Sequence, residues 1–206
     1  MNNKGFTLIE LMVSVTIFIV VMTISLGALL SISAAERKAE ALKTVMNNLN
    51  FGLESMARTI RTGITYHCPA GGGAALYEPQ DCSGGDDYFA FEAVGGDIND
   101  NGDQVVYFYE PDPLDCGANH IGGCIMRSVA SGANPLPITA SEINVTNLTF
   151  YVRGSVHEFE SDPTTSQPKV VITLIGDIPS QVSAAGVVQS TQFRLQTSVT
   201  QRLYDQ

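Results

Sequence analysis

Residues 11–32 contain no charged side chain and no proline. About 20 such residues cross the hydrocarbon core of a bilayer as a helix. The chain is therefore expected to enter a membrane once, near its start, and to fold its remainder outside the lipid. Glu10 is the exception, a carboxylate one turn into the apolar run. An ionisable group there is expensive and by default marks a partner or a pathway. On physics alone two readings stand: a signal anchor with Glu10 at the headgroups, or a carboxylate awaiting a cation.

The residues leading into the run are Lys4-Gly5-Phe6-Thr7-Leu8-Ile9-Glu10-Leu11. An ordinary secretory signal carries its apolar core ahead of the cleavage site and loses both. Here the apolar core follows the glycine and would be retained. Gly5-Phe6-Thr7-Leu8-Ile9-Glu10 resembles the class III signal of type IV pilins and type II secretion pseudopilins. The resemblance implies a membrane-embedded prepilin peptidase that cuts between Gly5 and Phe6 and methylates the new N-terminus. It also implies that Glu10 sets registry with the α-amine of a neighbouring subunit, consistent with the rule that a nearby opposite charge keeps a buried carboxylate ionised. The implied partners are other pilins or pseudopilins through their N-terminal helices, the peptidase and an inner-membrane assembly platform. The implied location is the bacterial inner membrane, single-pass, with the N-terminus cytoplasmic and the C-terminal domain periplasmic, and then a filament.

The 206 residues leave room for one ordinary domain beyond the helix. The formal charge of −10 becomes −11 once Lys4 leaves with the leader. Such a balance argues against nonspecific nucleic-acid binding, which draws on Lys and Arg at phosphates, and no nucleic-acid partner is expected. Charge does not orient the span: Lys4 on one side faces Arg37, Lys38 and Lys43 on the other. Cys68, Cys82, Cys116 and Cys124 all follow the membrane segment. An even number in a translocated domain reads as disulfides, with three connectivities open. Sequence proximity favours Cys68 with Cys82 and Cys116 with Cys124. Zinc is the rival, since His67 and His120 lie near cysteines, although the spacings fit no Cys-x-x-Cys knuckle.

Beyond the membrane the helical pattern continues. Leu42, Val45, Met46, Leu49, Leu53, Met56, Ala57 and Ile60 recur at intervals of three and four, drawing one apolar stripe. Gly63 supplies the stop. Residues 64–85 read as a long Gly- and Pro-rich loop. Strands are expected at 87–94, 104–110, 124–129, 144–153, 169–176 and 191–199, the last two from alternation along one buried face. The organisation predicted is thus a leader at 1–5, a transmembrane or filament-core helix at 6–33, an amphipathic continuation at 34–62 and a disulfide-stapled antiparallel β domain at 63–206. This is an α+β fold in which the far half of the helix lies on an antiparallel sheet, and it is also the pilin fold that the N-terminus implies. Residues 53–61, 145–151 and the closing strand resemble the J-type pseudopilin and the PilW-like minor pilin.

Asp97, Asn99, Asn101 and Asp103 have the D-x-N-x-N-G spacing of a calcium loop. The twelfth position, where a bidentate acid belongs, is Phe108. Asp-Asn-Gly clusters also make ordinary hairpin turns, so no cofactor is required and calcium stands as the alternative. No nucleophile elbow, phosphate loop or His-Glu-x-x-His occurs, and no enzymatic activity is expected. The expected role is a minor pilin or pseudopilin, a structural subunit of a type IV pilus or type II secretion pseudopilus, near the tip by the subfamily resemblance. The alternative is an adhesin or DNA-uptake minor pilin that grips a ligand through its outer loops.

Overall fold

A computed structural model of the chain describes residues 5–68, 78–97, 99–155, 167–182 and 188–202. Two compact units divide it, Met1–Lys43 and Thr44–Gln206. Helix α1 runs Leu8–Thr62 and is followed by β1 (Ile64–His67), β2 (Cys82–Asp86) and β3 (Tyr88–Glu92). Next come a short 3-10 turn at Asn101–Asp103, β4 (Val105–Glu110), β5 (Cys124–Ser128) and β6 (Leu136–Pro137). The long strands β7 (Asn144–Arg153), β8 (Lys169–Val182) and β9 (Val188–Thr200) close the chain. The architecture is α+β and pilin-like.

In the first unit the apolar side chains of α1 are exposed, from Leu8 at 78% to Leu30 at 70%. A helix apolar on every side is stable only in lipid or among other helices. The second unit holds the rest of the helix, and there the pattern changes to one buried stripe of Val45, Leu49, Leu53, Met56 and Ile60. Each full burial of such a side chain contributes about 1.5–3 kcal/mol. Asn47, Asn50, Glu54, Arg58 and Arg61 keep the opposite face in solvent.

The strands form two antiparallel sheets where the sequence suggested one. The first has the order β1-β3-β4-β5-β6 and the second β2-β7-β8-β9. In the second sheet Leu148 pairs with Leu174, Phe150 with Ile172 and Val152 with Val170; Leu174 pairs in turn with Leu195. Six of these are fully buried or nearly so, which pins the register, because a one-residue slip would turn them to solvent. Phe89 of β3 and Phe150 of β7 stack with ring centroids 5.2 Å apart and join the two sheets. Tyr66, Phe91 and Tyr107 extend that aromatic core.

The expected loop at 64–85 is corrected by two strands at its ends. Both are bulged. β1 pairs with β3 through a register shift between Ile64 and His67, with Thr65 at a φ of 52°. β2 shifts between Cys82 and Asp86, where Gly85 takes a φ of 82°. A Cβ on Gly85 would lie 2.6 Å from Thr149 Cγ2 and 2.7 Å from Tyr151 Cε1, so this strand must be glycine to seat beside β7. Alternation is lost at a bulge, which is why no strand pattern is visible there.

The helix ends where a side chain would collide. A Cβ on Gly63 would fall 2.2 Å and 2.8 Å from two ring carbons of Phe91. The exposed carbonyls beyond the last turn are met by the other end of the chain: Arg202 N donates to Arg61 O at 2.8 Å and Gln201 Nε2 to Gly63 O at 2.9 Å. Gly63→Ala is expected to destabilise the second unit by about 1–3 kcal/mol through overpacking. Thermal melts should show Phe91→Leu recovering part of that loss in the Gly63→Ala background; strictly additive losses would exclude the ring as the cause.

Candidate functional site

Gly5, Phe6 and Thr7 precede the helix in irregular backbone, and Phe6 is 76% exposed. A protease needs such an extended, accessible segment, and the helix does not obstruct the Gly5–Phe6 bond. At the start of helix α1, Glu10 N and Leu11 N donate to Thr7 O at 3.1 and 3.2 Å, and Thr7 Oγ1 donates to Glu10 Oε2 at 3.4 Å. Thr7-x-x-Glu10 is capping-box spacing, a signal readable in the sequence that the motif itself overshadows. The glutamate thus has a local structural partner besides any intersubunit one.

The other polar groups of the apolar run are self-contained. Ser14, Thr16, Thr23 and Ser25 each donate to a backbone carbonyl three or four residues back, which satisfies them without water. Glu10 differs. A hydroxyl does not neutralise a carboxylate, and no ion pair among the described residues involves it. The helix is long and apolar enough to cross a membrane, and its most apolar window is wholly unburied. An apolar rod with one unneutralised anion at its head can insert in lipid, and it can pack beside a helix that offers a cation.

The second unit carries two disulfides. Cys68 is bonded to Cys82 with a Cα separation of 6.0 Å, and Cys116 to Cys124 with 5.9 Å. Cys116 and Cys124 are fully buried and pack with Met126 and Phe108. His120 brings its ring within 4.8 Å of both sulfurs, but a disulfide offers no thiolate, so this grouping does not form the zinc alternative. His67 is fully buried beside Gln104, and burial lowers its pKa.

The acidic loop joins β3 to β4. Two of its acids serve the backbone: Asp97 Oδ1 accepts from Asn99 N at 3.0 Å, and Asp100 Oδ1 accepts from Gly102 N at 2.8 Å to cap the 3-10 turn. Asn99 Nδ2 also donates to Asp97 Oδ1, at 3.2 Å. Asp103 Oδ2 accepts from Asp97 N at 3.4 Å, while its Oδ1 is buried with no hydrogen-bond partner. The side chain of Asn101 lies outside the described residues, as does Ile98. Phe108, at the twelfth position, stacks on Tyr88 at 5.6 Å and packs against the Cys116–Cys124 disulfide.

The residue that sequence reasoning missed is Glu92, the last of β3. It is 1% exposed, and no donor reaches either carboxylate oxygen with hydrogen-bonding geometry. Burial, and next the Asp103 carboxylate, push its pKa up to about 7. In sequence it looks like the polar end of a strand, and nothing there shows that its head is enclosed.

The prokaryotic N-terminal methylation motif matches residues 1–26. No curated protein and no solved structure matches the chain. The chain therefore carries a class III prepilin signal at the head of a long apolar helix, which marks it as a type IV pilin-like substrate of prepilin peptidase. It points to a structural subunit anchored in a membrane.

Proposed function

We propose that this chain is a minor pilin or pseudopilin, cut between Gly5 and Phe6 and assembled helix to helix into a type IV pilus or type II secretion pseudopilus. The observation that carries the proposal is the sequence Gly5-Phe6-Thr7-Leu8-Ile9-Glu10 heading a helix whose apolar residues are exposed on every side through Ile32. Membrane and filament interior are the two environments that would cover such a surface, and a pilin occupies both in turn. The outer domain, with its two disulfides, suits an oxidising compartment, so the N-terminus is assigned to the cytoplasm and the domain to the periplasm. A place at or near the filament tip follows from the resemblance of residues 53–61 and 145–151 to low-copy subunits. Partners are neighbouring pilins, the peptidase and the assembly platform.

The test is intact mass and N-terminal sequencing of the chain expressed with and without a prepilin peptidase. The expected product begins at methylated Phe6 only when the peptidase is present. An uncut chain in both samples would overturn the processing step and leave a signal-anchored β domain.

A further inference from the structure

We propose that the β3–β4 loop binds a calcium ion, with Glu92 from the preceding strand supplying the acid that the loop's own twelfth position lacks. A run of acids in a loop is no site by itself. What distinguishes this one is the enclosed carboxylate beneath it, 1% exposed, with both oxygens unpartnered. Asp103 adds a third such atom, its buried Oδ1.

The position of Gly96 shows that these groups face one another. A Cβ built there would lie 1.8 Å from Glu92 Oε1 and 3.2 Å from Asp103 Oδ2. Both carboxylates thus lie against one bare Cα, and any larger residue would collide with Glu92. Two anions at such range repel unless a proton or a cation lies between them. Asp97 and Asn99, both exposed at the lip of the loop, bring further oxygens, and the Asp97 backbone N–H already leans on Asp103. A floor of buried carboxylate with a lip of exposed Asp and Asn suits a hard cation, which takes six to eight oxygens at about 2.3–2.6 Å. Calcium is favoured over magnesium because the donors come from an irregular loop and a strand end, not from a preformed octahedron.

Calcium would act here on structure. The loop closes the β3–β4 hairpin, and β3 carries Phe89 and Phe91 into the core. An ion bridging Glu92 to Asp103 would tie the two strand ends together and neutralise the buried Glu92 carboxylate. The site is independent of whether the chain is cut or assembled.

The full-length chain in detergent micelles, stripped with EGTA and dialysed, should be titrated with CaCl2 by calorimetry and melted in parallel. One ion per chain is expected, with Kd at or below about 10⁻³ M, the range of extracellular calcium modules. At a hundredfold excess over Kd the melting midpoint should rise by about 5–10 °C. Glu92→Gln and Asp103→Asn should each weaken binding at least about tenfold, while Asp115→Asn, in a different loop, should not. In EGTA, Glu92→Gln should melt no lower than wild type, because it removes an unpartnered charge; a merely structural glutamate would give the opposite result. No saturable calcium heat, or an unchanged calcium shift in both Glu92→Gln and Asp103→Asn, would overturn the proposal.

Discussion

Glu10→Gln should leave cleavage at Gly5 intact and lower filament incorporation by about a hundredfold or more. The argument starts from what surrounds the carboxylate. Its partner within the chain is the Thr7 hydroxyl at 3.4 Å, a side-chain contact that glutamine can keep by accepting through its amide oxygen. Helix formation and membrane insertion should therefore survive the substitution, and insertion should become easier because a charge is removed. What glutamine cannot do is attract a cation. If the new α-amine of one subunit pairs with Glu10 of the next inside a helix bundle, deleting one partner strands the other in low dielectric. Breaking a buried pair costs about 3–5 kcal/mol, and about 1.4 kcal/mol is a factor of ten. Quantifying the subunit by mass spectrometry in membranes and in sheared filaments separates the steps. Normal amounts of Glu10→Gln in filaments would show that Glu10 acts only through its local contact with Thr7. Glu10→Ala adds a control: it loses both roles, and a fall in membrane level for alanine alone would isolate the contribution of the Thr7 contact.

The parts of the fold legible in the sequence are those set by periodicity. The stripe from Val45 to Ile60 is buried in the second unit as its three-and-four spacing requires. The strand expected at 144–153 has those bounds as β7, although its register shifts between Val145 and Asn147. β8 and β9 run further than expected, to Val182 and from Val188, because each supports the other's backbone beyond the stretch with apolar alternation. β1 and β2 were hidden for the opposite reason. Both are bulged, β2 is also glycine-rich, and their place is fixed by neighbours distant in sequence: β3 for one, and Thr149 and Tyr151 of β7 for the other.

The site divides the same way. The processing motif is contiguous, so spacing alone reveals it. The acidic loop was visible as a motif, but its chemistry depends on Glu92, which lies outside the pattern and matters only because the fold encloses its head. Spacing carried no information about enclosure. Asp97, which the spacing makes equal in appearance to Asp103, is exposed and bonds the loop's own backbone, whereas Asp103 keeps one buried oxygen without a hydrogen-bond partner.

Reduction of both disulfides should lower the melting midpoint of the second unit by about 10–20 °C, and the two bonds should not contribute alike. Closing loops with sequence separations of 14 and 8 removes unfolded-state entropy worth about 3 and about 2.5 kcal/mol in the chain-entropy picture. On that count alone the longer loop, Cys68–Cys82, is the stronger staple. Packing reverses the order. Cys116 and Cys124 are both 0% exposed and are seated against Met126 and Phe108, whereas Cys82 stands half-buried on the bulged strand β2. Serines at 116 and 124 would therefore lose the crosslink and bury two hydroxyls in an apolar pocket, a further cost of about 1–3 kcal/mol for each one left without a partner. Alanines would lose the crosslink and leave a void. Melts of the Cys68→Ala/Cys82→Ala and Cys116→Ala/Cys124→Ala chains should show the second falling further, and the serine version of the second pair falling further still. If the Cys68→Ala/Cys82→Ala chain proves the less stable, loop entropy outweighs packing here and Met126 and Phe108 repack around the smaller side chains.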